Sequence, residues 1–267
     1  MVRSVTTTSA PPVPPVSASG GAPITRSTDH RYSYQGVTYP GVTSILQSLD
    51  KSGPLMGWAA RETATAAVRL LPQLPDILAT TGPEGVVKML TARSSWTRDE
   101  AAQLGTDVHG FADLLVQGKP LPPMTATQTK RVEHYARWWE ASGWTLRLSE
   151  AMVIQTGGHE QGGWGGTFDL LAYDADRRTV MADIKTGKAV YKEAVLQMAA
   201  YGMASIVQPA GAGRTYPLPL PDRYVVLHVT ADGVREVEVN VGTPERMAFL
   251  ACLELHHWIE SMKGVRF

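Results

Sequence analysis

The sequence predicts an α/β or α+β domain built around a central mixed β-sheet, with a mainly helical part before it. Helical spacing dominates as far as residue 143, and strand-like segments follow at close intervals. The later order of helix, two strands and helix is typical of helices packed on a mixed sheet. The 267 residues are 43% hydrophobic, which is enough apolar side chain to bury a core of that size.

One hairpin and three helices are predicted before residue 144. Gly36 is expected in the hairpin turn, and Gly143 is expected to cap the last helix at its C-terminus. Thr97 and Glu100 have the spacing of a capping box, which predicts that the second helix begins there. Pro72 is expected to stop the first helix. The predicted elements are a hairpin at 32–44 and helices at 55–71, 97–116 and 127–142.

The part after residue 143 alternates between strand and helix patterns. A short polar link, DADRR, joins the second and third strands, so these two are predicted to be antiparallel neighbours. The predicted elements are strands at 144–155, 166–173 and 179–185, a helix at 193–206, hairpin strands at 223–230 and 234–241, and a helix at 244–262.

The predicted domain organisation is a tail followed by one domain. Residues 1–30 are rich in Pro and Ser and are predicted to be a disordered tail. Residues 31–267 are predicted to form the domain, with a helical part at 31–143 and a sheet core with a C-terminal helix at 144–267. The formal net charge is +0, so any grip on a polyanion must come from a local positive patch.

Cysteine content and hydropathy exclude several classes of protein. The single cysteine, Cys252, excludes an internal disulfide, a four-cysteine zinc site and a cysteine-ligated iron–sulfur cluster. No stretch approaches the roughly 20 apolar residues that cross a bilayer, so no membrane partner is expected. We expect a cytoplasmic protein of a bacterial or phage-infected host cell.

The chemistry-bearing residues lie in two of the predicted strands. In TVMADIKT, Asp183 and Lys185 alternate and therefore share one face of a largely apolar strand. In GGTFDLLAY, Asp169 lies in the neighbouring strand, so its carboxylate could converge with that of Asp183 on one hard cation. A structural ion pair between Asp183 and Lys185 is the alternative interpretation.

Other motifs occur around this pair in a recognisable order. Gly105 and His109 precede it in a helix, and Gly166 stands three residues before Asp169. Gln197 and Tyr201 follow it, one helical turn apart. With these motifs the chain resembles the PD-(D/E)XK nuclease superfamily, in the RecB-like branch that includes CRISPR-associated adaptation nucleases and phage exonucleases. The resemblance covers about residues 40–205 and implies a restriction-endonuclease-like core.

The resemblance implies roles for individual residues. It implies that a Mg²⁺ or Mn²⁺ ion is held by the side chains of His109, Asp169 and Asp183 and by the Ile184 carbonyl. Lys185 would serve the attacking water. The remaining implied site residues are Glu150, whose role is open between a catalytic and a structural one, the site-lining Gln197, Tyr201 and Thr186, and the basic Arg178 and Lys188, for which phosphate contact and a solvated face remain open.

The expected function is therefore metal-dependent hydrolysis of DNA, with an exonuclease favoured over an endonuclease. The expected setting is DNA recombination, repair or phage DNA processing, with DNA and a recombination or replication protein as partners. The alternative is a DNA-binding or assembly protein on a nuclease fold that no longer cuts. A zinc or iron enzyme with a His and carboxylate site fits less well, because a set rich in oxygen ligands with one histidine suits Mg²⁺ or Mn²⁺ better.

Overall fold

A seven-stranded mixed sheet flanked by helices organises the chain in this computed structural model, which describes residues 22–50, 52–157 and 162–265. The predicted α+β class is confirmed. The strands are β1 (Thr25–Arg26), β2 (Tyr32–Tyr34), β3 (Val37–Tyr39), β4 (Thr145–Gln155), β5 (Trp164–Tyr173), β6 (Thr179–Lys185), β7 (Ile206–Gln208), β8 (Tyr216–Pro217), β9 (Arg223–Val229) and β10 (Val234–Glu238). The helices are α1 (Val42–Leu46), α2 (Ser52–Leu70), α3 (Leu74–Val116), α4 (Ala126–Ser142), α5 (Lys192–Met203) and α6 (Thr243–Ser261).

The order of strands in the large sheet is β10-β9-β6-β5-β4-β7-β8. Strand β5 is antiparallel to β4 and to β6, and the pairing of β5 with β6 is the one predicted. Strands β6 and β9 are parallel. Strand β6 is buried from Thr179 to Ile184, and it pairs with β5 at one edge and with β9 at the other. The centre of the sheet therefore lies at the three strands that carry the predicted site.

Helices α5 and α6 pack together, and α5 also contacts β5 and β6. Trp164 at the start of β5 is fully buried, and its ring centroid lies 5.0 Å from that of Phe249 in α6. The indole N–H of Trp164 donates to the Ala200 carbonyl in α5 at 3.1 Å. These contacts bind one end of β5 to both helices and so fix the strand that carries Asp169.

Residues 49–106 form a separate compact unit that consists of α2 and the first part of α3. Helix α3 is interrupted at Gly82, whose φ of 70° and ψ of 175° are non-helical and are followed by Pro83. The predicted helix start at Thr97 is wrong, because the helix is already formed there. The Thr97 hydroxyl instead donates to the Arg93 carbonyl one turn earlier, at 3.1 Å.

The N-terminal boundary of the domain also differs from the prediction. Residues 1–21 of the predicted tail lie outside the described residues, but residues 22–30 are ordered against the domain. Ile24 is buried, and its main-chain N–H donates to the Gln208 side chain at 2.5 Å. Strand β1 then pairs with β2. The composition of the tail predicted disorder. In residues 22–30 a buried isoleucine and a strand pairing offset the entropy cost of ordering the backbone.

Other local predictions are confirmed with small shifts. Gln35 and Gly36 both have positive φ, which is typical of a type I′ hairpin turn between β2 and β3. Helix α4 begins with a capping box of Thr125 and Gln128 and ends at Gly143, which has a φ of 68°. The predicted helix 193–206 ends earlier, at Met203, because residues 206–208 form β7 instead. Among the described helices, none combines the length and apolar character needed to cross a membrane.

Gly166 provides the space that Tyr201 occupies, and this generates a stability prediction. A Cβ atom at Gly166 would lie 2.4 Å from Cε1 of the buried Tyr201 ring. A Gly166→Ala variant should therefore lose roughly 1–3 kcal/mol of unfolding free energy. Urea denaturation followed by far-UV circular dichroism measures the change.

Gly213→Ala is the matched control, because an added Cβ there meets nothing within 4 Å. This variant should unfold within about 0.5 kcal/mol of the parent protein. Equal unfolding free energies for Gly166→Ala and Gly213→Ala would contradict the packing of Tyr201 against β5.

Candidate metal centre

The site begins where β5 and β6 stop pairing. Their ladder ends at the pair of Leu170 and Ala182, so Asp169 and Asp183 are the next residues on the two strands. Beyond that pair the Ile184 N–H of β6 donates to a side chain, where a continued ladder would have offered it a backbone carbonyl of β5. Its acceptor is Oδ2 of Asp169, at 2.6 Å. One side chain thereby both fills the gap between the strands and faces Asp183.

A third carboxylate joins this row because β4 is irregular. The pairing of β4 with β5 shifts by one residue between Leu146 and Leu148, and beyond the shift Ser149 pairs with Leu170. That register places Glu150 opposite Asp169, whereas the register before the shift would have turned it to the other face. Glu150 itself has a φ of 47°, a left-handed backbone that a non-glycine residue adopts at a cost of about 1–3 kcal/mol.

Helix α3 brings His109 to the same place. Its Nδ1 lies 3.4 Å from Asp169 Oδ2. Potential ligand atoms of His109, Glu150 and Asp169 all lie within 4.8 Å of one another, and among the described residues these three form the group that could hold a metal ion. Asp183, which was also predicted as a ligand, is outside that group, and its Oδ2 lies 2.6 Å from the Lys185 ammonium.

Lys185 is held between strand and helix. Besides its ion pair with Asp183, the ammonium donates to Gln197 Oε1 in α5 at 3.2 Å. The Gln197 amide in turn donates to the Tyr201 hydroxyl at 2.8 Å. Because Gln197 and Tyr201 are one helical turn apart, they form a chain of hydrogen bonds that fixes the lysine.

The charges in this cluster shift one another's titration. Burial, reinforced by the Asp169 carboxylate, raises the pKa of Glu150 to about 7. Burial also raises the pKa of Asp183, although Lys185 opposes the change. For His109, burial disfavours the charged form, but the Asp169 carboxylate outweighs it and raises the histidine pKa to about 9. Burial and the neighbouring Asp169 carboxylate thus disfavour the charged forms of Glu150 and Asp183.

The donor set fits a hard divalent cation on three observations. It combines carboxylate oxygens with one imidazole nitrogen, which suits Mg²⁺ or Mn²⁺. Burial and then the Asp169 carboxylate raise the pKa of Glu150, and a cation beside both carboxylates would offset the second of these effects. In addition, Asp183 Oδ2 is buried and receives no well-directed hydrogen bond, although the Lys185 ammonium lies beside it.

The remaining residues predicted for the site are distributed at the two ends of β6. Thr186 directly follows Lys185, and the exposed Lys188 comes three residues after it. Arg178 precedes β6 at its other end, roughly 20 Å of strand away from Lys185. Its guanidinium pairs with Asp174 at 3.1 Å and with Asp176 at 2.7 Å, so it belongs to the turn that joins β5 and β6.

One contact at the rim of the site was not anticipated from the sequence. The Tyr32 hydroxyl lies 3.0 Å from the Thr167 hydroxyl. Thr167 shares the face of β5 with Asp169, because the two residues are two positions apart. The alternation in GTFD would have indicated that shared face, but only the folded hairpin shows that Tyr32 reaches it.

No protein-family model and no curated protein matches this chain. Among the solved structures that do match is the crystal structure of SSO0001, with 13% sequence identity and a TM-score of 0.32. That match covers 48% of this chain and spans 57% of the length of SSO0001.

The raised pKa of Glu150 gives a prediction about stability and pH. A carboxyl whose pKa is higher in the folded state than the ordinary 4.5 destabilises the fold as pH rises above 4.5, until the penalty levels off near pH 7. Glu150→Gln removes that penalty. In EDTA at pH 8 the variant should gain on the order of 1–3 kcal/mol of unfolding free energy, and the gain should vanish near pH 4.5.

Urea denaturation at a series of pH values measures this difference, with the exposed Glu140→Gln as control. The control should show no gain at any pH. A Glu150→Gln variant that is less stable than the parent at pH 8 would contradict the penalty that burial and Asp169 place on the charged form of Glu150.

Proposed function

We propose that this protein is a metal-dependent DNA nuclease that hydrolyses phosphodiester bonds, with membership of the PD-(D/E)XK superfamily as part of the proposal. The observation that carries it is the position of Lys185, whose ammonium is 2.6 Å from Asp183 and whose strand ends beside the group of His109, Glu150 and Asp169. A structural ion pair alone would not need a partly buried group of potential metal ligands next to it.

His109, Glu150 and Asp169 are the residues that would hold Mg²⁺ or Mn²⁺, with Asp183 and the Ile184 carbonyl at its edge. When bound, the ion would lower the pKa of water and offset negative charge on the phosphorus atom. Since the imidazole must be neutral to bind, His109 would give up the proton that its raised pKa lets it keep.

Lys185 would act as a donor and not as a base. Burial opposes its charge, but Asp183 and Asp169 outweigh burial and raise the pKa of the ammonium. Of its three N–H groups, two face Asp183 and Gln197, and the third would orient the attacking water or contact the developing negative charge. Gln197 and Tyr201 would set the direction of that third N–H.

DNA would be bound by groups around the end of β6. Lys188 is exposed three residues after Lys185 and would contact a backbone phosphate, while Thr186 lies between them. The balanced overall charge supports a local contact of this kind and not a broad basic surface. A place in recombination, repair or phage DNA processing rests on the sequence resemblance alone.

The first prediction from this mechanism concerns Lys185. Lys185→Ala should reduce cleavage of labelled DNA in Mg²⁺ or Mn²⁺ by at least 100-fold, because the water loses its donor. Binding of Mn²⁺ and DNA should persist, as measured by calorimetry and fluorescence anisotropy. EDTA should abolish cleavage by the parent protein, and excess Mn²⁺ should restore it.

Lys130→Ala is the matched control, since Lys130 is an exposed lysine on α4. It should cleave as the parent protein does. Full cleavage by Lys185→Ala would contradict the mechanism. A parent protein that binds DNA and never cuts would favour the alternative of a nuclease fold without activity.

Lys188 gives a second prediction, on affinity. Lys188→Ala should weaken DNA binding several-fold and reduce the slope of log affinity against log salt concentration by about 0.7–0.9, the value for one lost phosphate contact. Anisotropy titrations at several salt concentrations measure the slope. An unchanged slope would remove Lys188 from the proposed DNA contact.

The mode of cleavage is tested separately with two substrates. An exonuclease should degrade end-labelled linear DNA and spare covalently closed circular DNA over the same time course. Linearisation of the circle would show an endonuclease and would leave the metal-dependent chemistry in place.

A further inference from the structure

The helix that carries His109 ends in a defined way after Val116. Gly118 has a φ of 66°, and its N–H donates to the Leu115 carbonyl at 2.9 Å. The Lys119 N–H donates to the Leu114 carbonyl, also at 2.9 Å. These two bonds form a Schellman motif, so the last helical turn is closed and the position of Gln117 is fixed.

Gln117 uses that position to connect α3 with β4. Its Nε2 donates to Asp113 Oδ1 at 2.6 Å and to Ser149 Oγ at 3.0 Å. His109, Asp113 and Gln117 follow one another at intervals of four residues and therefore lie along one face of the helix. The same face thus carries a metal-binding side chain at one point and a contact with β4 at another.

The contact on β4 falls directly before the strained residue. Ser149 is buried, with 7% of its surface exposed, and its hydroxyl is the acceptor of the Gln117 amide. Glu150 follows in its left-handed conformation, where the pairing of β4 with β5 is interrupted. Such a conformation persists only when its surroundings hold it, and the amide of Gln117 holds the preceding residue.

We propose that Gln117 is a positioning residue that sets the spacing between His109 on α3 and Glu150 on β4. This inference rests on the metal-binding role proposed for those two side chains. The connection starts at His109 and follows one face of α3 to Gln117. From Gln117 a hydrogen bond crosses to Ser149 on β4, and Glu150 is the next residue of that strand. Gln117 is too far along the helix to be a ligand itself, and it acts through Ser149.

Two variants remove the connection from opposite sides. Gln117→Leu keeps a side chain of similar size and removes the amide donor, while Ser149→Ala removes the acceptor on β4. Each should weaken Mn²⁺ binding roughly tenfold in isothermal titration calorimetry, as loss of a group that orients metal ligands does. The double variant should bind Mn²⁺ no more weakly than either single variant, because both break the same bond.

Gln128→Leu is the matched control. Its Nε2 also donates to an aspartate of α3, Asp107 Oδ2, at 2.6 Å, and Gln128 belongs to the capping box of α4. Gln128→Leu should lower the thermal midpoint of unfolding, because it removes part of the capping box of α4. It should leave Mn²⁺ affinity unchanged, because the Gln128 side chain does not make the contact with Ser149 on β4 that Gln117 makes. The control therefore separates loss of stability from loss of metal-site geometry.

Unchanged Mn²⁺ affinity in Gln117→Leu would overturn the inference, as would additive losses in the double variant. Should Gln117→Leu not fold, Ser149→Ala decides by the same criterion. A parent protein that binds no Mn²⁺ would overturn the proposed metal site itself. A parent protein that binds Mn²⁺ only as tightly as Gln117→Leu does would overturn the role of Gln117 and leave the metal site in place.

Discussion

The carboxylate of Asp169 is the group on which the site depends. It receives the Ile184 N–H at 2.6 Å where β5 and β6 stop pairing, and it lies 3.4 Å from the imidazole of His109. A single side chain therefore satisfies a buried main-chain donor, anchors α3 to the sheet and faces the other two carboxylates. Burial would raise its pKa, but His109 outweighs burial and keeps the pKa of Asp169 low, so the group stays charged.

Around that carboxylate the protein retains features that cost stability. Glu150 adopts a left-handed backbone, and its pKa of about 7 reflects burial beside another carboxylate. Asp183 is buried and pairs with the partly exposed Lys185, and such a pair contributes little net stability compared with apolar packing. Strain and buried charge of this kind cluster at functional sites. A divalent cation would convert the repulsion among the carboxylates into attraction, which connects the unfavourable geometry with the proposed activity.

Sequence reasoning predicted the parts of this arrangement that depend on local pattern. Alternation in TVMADIKT placed Asp183 and Lys185 on one face, and the short DADRR link indicated that β5 and β6 are antiparallel neighbours. The register of β4 could not be predicted, because the shift after Leu146 decides which face Glu150 occupies. Strand β1 was missed because its stability comes from burial of Ile24 and not from its own composition. Arg178 was assigned to the site from closeness in sequence, whereas β6 separates it from Lys185.

The central claim is that His109, Glu150 and Asp169 hold one divalent cation. Anomalous diffraction from wild-type crystals soaked in Mn²⁺ tests it most directly, because the ion is located without reference to activity. The account predicts an anomalous peak in contact with a ring nitrogen of His109 and with the carboxylates of Glu150 and Asp169. A peak elsewhere, or none at this group at a Mn²⁺ concentration well above that used in the cleavage assay, would contradict it.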